Sequence, residues 1–421
     1  MSIPTRSALL KNKNFIRLWI SQAASLISIY IVIYILILRL YSQTNSTLAV
    51  SFLWISYSLP VLLFGPFAST VVDLVDRKLL LTISNLLQAG TLLILVPFHS
   101  NFFLAYGIIF IYCLINQFYL PAESASLPSL IPQKYLAQGN GLFLLTKQAS
   151  TLIGFGAAGL LTKFLGTDIS ILFCAGLLII AFFSVLSLPS LNHKHPLNFE
   201  ANIQSFFQQV VEGYKFIKDH RNILFPVLLI SGTDIIFTIL AVSVPALATE
   251  VIGVKLENAA FLFIVPSAIG AIAGVIFFPQ ILKKGMRKKL LIETSLLVIT
   301  ASLFIIGVLI GFIPHYARLV LAPIVAIFIG LGFAGVYIPA QTYLQETAPN
   351  KMLGRLFGTI WFTVTMATIP PLILSASLTE LIGVRSLFSL LTIGILSVAI
   401  YSKYFGDRAI TNHFADQYPT N

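Results

Sequence analysis

The chain has 421 residues, of which 57% are hydrophobic and only 10% charged, with a formal net charge of +11. So little polar surface excludes a water-soluble domain of this length. The positive balance does not point to nucleic acid either, because the lysines and arginines sit in short gaps between long apolar runs, and the class that fits is a polytopic helical membrane protein.

A membrane helix needs about 20 apolar residues. Hydropathy places spans at roughly 15–39, 46–72, 79–98, 103–121, 139–162, 169–190, 222–247, 258–281, 290–312, 316–340, 355–379 and 384–404. These runs are too long for barrel strands and lack period-two alternation. Arg6, Lys11, Lys13 and Arg17 precede the first run, which is too long for a cleaved signal and has no small-residue cleavage site, so it reads as an uncleaved span. Cys113 and Cys174 both fall inside apolar runs, which gives no disulfide framework. Asn45-Ser46-Thr47 fits a glycosylation sequon, a triplet too common by chance to carry weight.

Charge asymmetry sets the orientation. With the amino terminus in the cytoplasm, the cytoplasmic gaps hold most of the cations, among them Arg77, Lys78, Lys134, Lys215, Lys218, Lys283, Lys284, Arg287, Lys288, Lys289, Lys351 and Arg355. The opposite side holds Arg39, Lys163, Lys255, Arg318 and Arg385. This positive-inside bias predicts an even number of spans with both termini cytoplasmic. The one long gap, 191–222, starts polar and then places Phe206, Val210, Tyr214 and Ile217 on one stripe, with Glu212, Lys215, Lys218 and Asp219 mostly off it. That pattern predicts an amphipathic helix on the cytoplasmic membrane face, or a plain tether between halves.

The halves echo each other. "YLPAESASLPSLIPQKYLAQGNG" begins at Tyr119 and "YIPAQTYLQETAPNKMLGRLFG" at Tyr337, about 217 residues on. Tyr-x-Pro-Ala recurs, followed by Pro132, Lys134, Leu136 and Pro349, Lys351, Leu353, each copy lying after an even-numbered span. Gly65 with Arg77-Lys78 has a weaker counterpart in Gly274 with Arg287-Lys288. A six-plus-six duplication predicts this.

"GPFASTVVDLVDRK" lies between the second and third runs: Gly65, then Asp73 eight residues on, then Arg77 and Lys78. It resembles the loop signature of the major facilitator superfamily, with Leu74 where that family usually has Arg. "YLPAESASLPSLIP", "GNG" and "GRLFG" are similar to the branch that contains macrolide efflux proteins and the enterobactin exporter. The resemblance covers essentially the whole chain. It implies two six-helix bundles, 1–190 and 222–421, joined by the cytoplasmic linker 191–221, with a substrate site near mid-membrane.

Gly65 has no side chain, which predicts close approach of a neighbouring helix. Asp73 stands at the end of its helix, where the macrodipole disfavours an anion, so a partner must compensate. The helix start near Gly354–Arg355 offers free N–H groups and a cation. A gating latch of Gly65, Asp73, Asp76, Arg77, Lys78 and Arg355 follows, shutting the cytoplasmic side in one state. The simpler reading is that Arg77 and Lys78 only fix topology.

Charges inside the apolar runs each need an account. Asp234 is about 12 residues into the seventh span and is the leading candidate for proton coupling or substrate contact, or else a packing carboxyl bonded to Ser or Thr. Lys147, in the fifth span, either meets an anionic group or snorkels to the interface. Glu293 follows Lys288 and Lys289 at a span start, which predicts a surface pair. Glu123, just after Pro121, reads as a cytoplasmic contact in the Tyr-x-Pro-Ala turn rather than a substrate ligand. Tyr112, Asn116 and Tyr119 share a face of the fourth span, and Tyr30 and Tyr34 share one on the first. Such faces suit amphipathic aromatic substrates or simple packing, and Trp54, Tyr57, Trp361 and Phe362 are weaker cases. "GFGAAG", Gly154 to Gly159, is similar to a glycine-rich stretch of family antiporters, with Phe155 in place of their proline. That change, and the absence of arginine in the fourth span, count against proton antiport without excluding it.

No phosphate-binding loop or zinc-spaced His/Cys set occurs, and His193 and His195 read as solvated linker residues. The sequence therefore predicts an all-α membrane protein of twelve helices and no enzyme, metal or cofactor. Its function is read as secondary transport by alternating access. Export of an amphipathic drug or siderophore, with or without proton coupling, leads that reading. An importer or uniporter, or a non-transporting receptor, is the alternative. The partners implied are a small-molecule substrate, protons if transport is coupled to them, and the bilayer of the cell membrane; nucleic acid is not among them, and the chain is read as a monomer.

Overall fold

The computed structural model describes residues 9–191, most of 208–219, 221–347 and 350–410, all as helices and short connections. The first four helices are α1 (Lys13–Thr44), α2 (Thr47–Leu74), α3 (Arg77–Phe98) and α4 (Phe102–Leu130). Next comes one continuous element, Leu136–Leu186, which at about 1.5 Å per residue is more than twice as long as the hydrocarbon core is thick. It breaks at Gly166, whose φ of 78° and ψ of 172° fit a residue without a Cβ, so it holds two spans, α5 (136–165) and α6 (167–186). The remaining helices are α7 (Arg221–Ala246), α8 (Val265–Lys283), α9 (Lys288–Phe304), α10 (His315–Thr347), α11 (Asn350–Ile382) and α12 (Val384–Ile410). Among the described residues eleven helices are long and apolar enough to cross a membrane; with the break at Gly166 they supply the twelve spans read from hydropathy.

Two readings are corrected. The fourth span was expected to end at 121, and Tyr-x-Pro-Ala to form a turn. Instead Pro121 and Pro128 lie inside α4, which runs to Leu130, and Pro339 lies inside α10. Prolines survive in membrane helices where neighbouring groups re-satisfy the backbone. Towards the end of α4, Arg77 Nη1 donates to the Ala125 carbonyl at 2.7 Å and Asn12 Nδ2 to that of Leu130 at 2.8 Å, which ties the last turns to other elements.

The chain divides into two compact units, Met1–Thr44 with Phe52–Phe206, and Asn45–Ser51 with Phe207–Asn421. In unit 1, α1 is buried without interruption from Ile31 to Leu38 and packs mainly on the α5–α6 element, while α3 packs on that element and on α4. Phe15, Leu18, Leu81, Tyr119, Leu127 and Phe143 form an apolar core near the ends that carry the basic gaps. Arg17 ties α1 to the end of α6 through the Ser187 carbonyl at 2.6 Å, and Ser184 Oγ donates back to the Arg17 carbonyl at 2.7 Å.

In unit 2, α8 and α10 cross at backbone contact. A Cβ on Gly270 would collide with the Ile327 carbonyl, and one on Gly330 with that of Ser267. Small residues at such crossings are how membrane helices gain dispersion contact when the hydrophobic effect gives no net drive. At the ends remote from the basic gaps, Arg318 donates to the carbonyls of Ile313 (2.7 Å), Val251 (2.9 Å) and Gly311 (3.1 Å), which satisfies helix-end acceptors that lack intrahelical donors. Of the anticipated linker stripe, Phe206 and Val210 lie outside the described residues. Tyr214 is exposed, and Ile217 is buried against Ile223, Val227 and Leu344. Tyr214 also lines an open groove of about 490 Å³ with Val211, Thr359, Phe362 and Met366.

Gly330→Val is expected to lower stability by about 3 kcal/mol through overpacking against rigid backbone. Gly394→Ala, at a position open to 4 Å, should be neutral. Thermal unfolding of the purified protein checks both, and equal melting temperatures for the two variants would refute the crossing.

Candidate functional site

The proposed latch residues are placed as follows. Gly65 lies within α2, but no described heavy atom comes within 4 Å of where its Cβ would stand, so the close approach anticipated there is absent. The side chains of Asp73 and Arg355 lie outside the described residues. Asp76 and Arg77 are engaged within unit 1. Asp76 caps α3, accepting from Lys78 N (2.8 Å), and its carboxylate also accepts from Ser190 Oγ (2.7 Å) and Leu191 N (3.3 Å), which fixes the chain leaving α6. Burial alone pushes its carboxyl up. Hydrogen bonds from Ser190 and from the backbone of Lys78, Leu191 and Leu79 outweigh that and hold it below its ordinary value. Lys78, the next residue along, is half-buried.

An aromatic surface lies deeper in unit 1. Phe155, from the glycine-rich stretch, packs against Tyr30 and Tyr34, each at 5.6 Å between ring centroids. The packing is close because a Cβ on Gly154 would stand 2.5 Å from Tyr30 Cβ. Trp54 meets Tyr57 edge-on at 5.9 Å, and Tyr57 lies near Tyr30, Tyr112 and Cys113. Tyr30, Trp54 and Tyr57 keep accessible surface, whereas Tyr34, Tyr112 and Tyr119 are 1–2% exposed. The last three are therefore buried within unit 1, and the two residues ranked low by sequence, Trp54 and Tyr57, belong to the accessible set. In unit 2, Trp361 is exposed.

Polar side chains within the apolar helices gather by unit. Glu123 is not a loop contact: it is 3% exposed inside α4. Its Oε1 accepts from the Tyr119 hydroxyl at 3.3 Å and its Oε2 faces Gln22 Nε2 at 3.5 Å. Tyr119 shares a 2.9 Å hydrogen bond with Ser21, which accepts from Asn85 Nδ2 at 3.0 Å. Beside them Gln88 Nε2 donates to Asn116 Oδ1 at 3.3 Å, and the Tyr112 hydroxyl faces Ser25 and Ser28. Sequence reading missed Ser21, Gln22, Asn85 and Gln88. The available signal was polar residues on apolar runs, with Asn85 and Gln88 at the i, i+3 spacing of one helix face.

In unit 2, Asp234 is half-buried in α7 and close enough to Tyr337 for the two to interact electrostatically. Each unit thus places one carboxylate beside the tyrosine of its Tyr-x-Pro-Ala copy. Lys147 is exposed on α5. Glu293 pairs with Lys289 at 3.5 Å, and Lys288 with Glu346. His99 and Asp168, unremarked in the sequence, lie 3.4 Å apart. Among the described residues no group of three His, Cys, Asp or Glu side chains could hold a metal, and Cys113 and Cys174 are buried free thiols.

Twelve apolar helices in two units, with polar clusters inside them, define a polytopic membrane transporter. The chain belongs to the Major Facilitator Superfamily, whose profile matches residues 18–370. It is a secondary transporter and not an enzyme. Macrolide efflux protein A of Streptococcus pyogenes is 26% identical over 396 residues, 92% of this chain and 94% of that one. The uncharacterized MFS-type transporter YfiS of Bacillus subtilis (strain 168) is 25% identical over 382 residues, 89% of each. Among solved structures, the nucleoside transporter NupG superposes with a TM-score of 0.70 at 13% identity, covering 93% of this chain and 98% of that one. A bacterial homologue of the lysosomal transporter Spinster gives 0.71 at 12% identity, covering 97% and 98%. At such identities these two structures show the fold alone.

Asp76→Ala should cost about 1 kcal/mol, the usual worth of a helix N-cap. Because its folded pKa is lowered, the contribution is present above the ordinary carboxylate value of about 3.9 and is lost as pH falls through the lower folded value. Melting curves of wild type and Asp76→Ala should therefore differ at neutral pH and converge in strong acid. A constant gap at every pH would contradict the assignment.

Proposed function

We propose that this transporter exports amphipathic small molecules of the macrolide type by alternating access. One observation carries the reading: likeness to Macrolide efflux protein A extends over nearly the full length of both chains, so the similarity is not confined to a scaffold fragment. The accessible rings of Tyr30, Trp54 and Tyr57 support it, since flat faces with polar tips suit a large ligand that is apolar with scattered hydroxyls. The charge asymmetry of the gaps supports both termini being cytoplasmic. Asp234, half-buried in α7, is the candidate coupling or substrate residue of unit 2.

The test is accumulation of labelled erythromycin in a susceptible bacterium. Expression of the chain should lower accumulation relative to the empty vector, and an uncoupler should abolish the difference. Tyr30→Ala should weaken export about 3- to 10-fold, the equivalent of one aromatic contact of about 0.5–1.5 kcal/mol. Equal accumulation with and without the protein, at verified membrane expression, would reject the macrolide reading.

A further inference from the structure

We propose that Glu123 binds and releases a proton during transport, and that the chain Asn85–Ser21–Tyr119–Glu123 reverses its hydrogen bonds as it does so. This rests on the transporter reading above and assigns a protonation site within unit 1.

A carboxylate enclosed in membrane helices is retained in its charged form only with a cation or a full set of donors. Glu123 has neither. Among the described residues no lysine, arginine or histidine lies within ion-pair distance of it. Among the described residues the titratable group bonded to it is Tyr119 on its own helix. Helix α1 presents neutral Ser21 and Gln22, and α3 presents Asn85 and Gln88. Arg77 comes near, but is committed to the Ala125 carbonyl at 2.7 Å.

The surroundings have an excess of acceptors. Gln22 Oε1, Asn85 Oδ1 and Gln88 Oε1 are buried without a partner among the described residues, on side chains no more than 6% exposed. A cluster short of donors is one that gains from a proton. As placed, donation runs from Asn85 Nδ2 to Ser21, between the Ser21 and Tyr119 hydroxyls, and from Tyr119 to Glu123, which suits an anion at the end. When a proton from water forms a new O–H bond on the carboxylate, Glu123 becomes a donor. The two hydroxyls rotate, and rotation of the Asn85 amide brings its unpartnered Oδ1 to receive the far end; Gln22 can turn its own Oε1 to the new acid in the same way. Loss of the proton to water restores the first arrangement. The chain from Asn85 to Glu123 stays hydrogen-bonded in both directions, and the reversal gives the Asn85 Oδ1 a donor it lacks in the first arrangement.

Glu123 lies near one end of its helix. Glu123 is seven residues from the end of α4 at Leu130, about 10 Å along the axis. The repeat supplies a control of its own: the residue matching Glu123 after the second Tyr-x-Pro-Ala is the neutral Gln341. The second copy of the motif thus carries a glutamine at this position.

The test uses the full chain in lipid. Infrared spectra across a pH series should show an acid-form carboxyl band that titrates in wild type and in Asp234→Asn, and is missing in Glu123→Gln. A Glu123→Gln spectrum identical to wild type at every pH would overturn the proposal. In proteoliposomes, a pH gradient should accelerate erythromycin flux in wild type and in Glu123→Asp, and should have no effect in Glu123→Gln, which still passes erythromycin down its own gradient. Undiminished acceleration in Glu123→Gln would count against the proposal and leave the exporter reading intact. Absence of erythromycin flux in wild type would count against the exporter reading alone, with the spectra then deciding the proton site. Should Glu123→Gln melt well below wild type, Tyr119→Phe, which cuts the chain but keeps the carboxyl, is expected to shift the titrating band. An unshifted band would contradict the reversing chain.

Discussion

Inside a bilayer there is no water to bond a stray polar group, so every N–H, C=O, hydroxyl, amide and carboxyl must find its partner within the protein. Much of the structure follows from that constraint. It forces the apolar runs into helices, which close their own backbone bonds. It leaves the helix ends as the weak points, and side chains are placed there to meet them: Asn12 and Arg77 on α4, Asp76 on α3, Arg17 on α6, and Arg318 on three carbonyls of unit 2. Several basic residues that a topology argument treats as mere orientation charges thus also hold helix ends.

The same constraint decides where unusual side chains collect. Ser21, Gln22, Asn85, Tyr119 and Glu123 would each be costly alone in an apolar helix, and in unit 1 they are gathered into one cluster. Unit 2 repeats the theme with different residues, Asp234 near Tyr337. The tyrosine is common to the two copies of the repeat, while the acid beside it comes from α4 itself in one unit and from α7 in the other. That asymmetry gives the two units distinct chemistry on a shared scaffold.

Much of this was legible in the sequence. Length and hydropathy gave the spans, because a bilayer imposes a fixed minimum on apolar length, and the Tyr-x-Pro-Ala copies gave the duplication. The errors have physical causes. Pro121 was read as punctuation, as it would be in water, whereas α4 runs through it to Leu130. Helical spacing put Tyr112 and Tyr119 on one face, but spacing does not say whether that face meets a ligand or another helix. Gly65 was taken for a packing glycine on the strength of its motif, while the close crossings fall at Gly154, Gly270 and Gly330. Glu123 was placed in a loop because its helix was ended too soon, and its neutral neighbours, on α1 and α3, could not be known from periodicity.

The central claim is that the polar side chains inside unit 1 bond to one another and act as one cluster. A double-mutant cycle on the 2.9 Å Ser21–Tyr119 hydrogen bond tests it most directly, using unfolding free energies of wild type, Ser21→Ala, Tyr119→Phe and the double variant. The account predicts a coupling energy above about 0.5 kcal/mol, the level expected of groups in one hydrogen-bond network. Additive effects, with no coupling beyond measurement error, would show the two hydroxyls to be independent and would contradict the cluster.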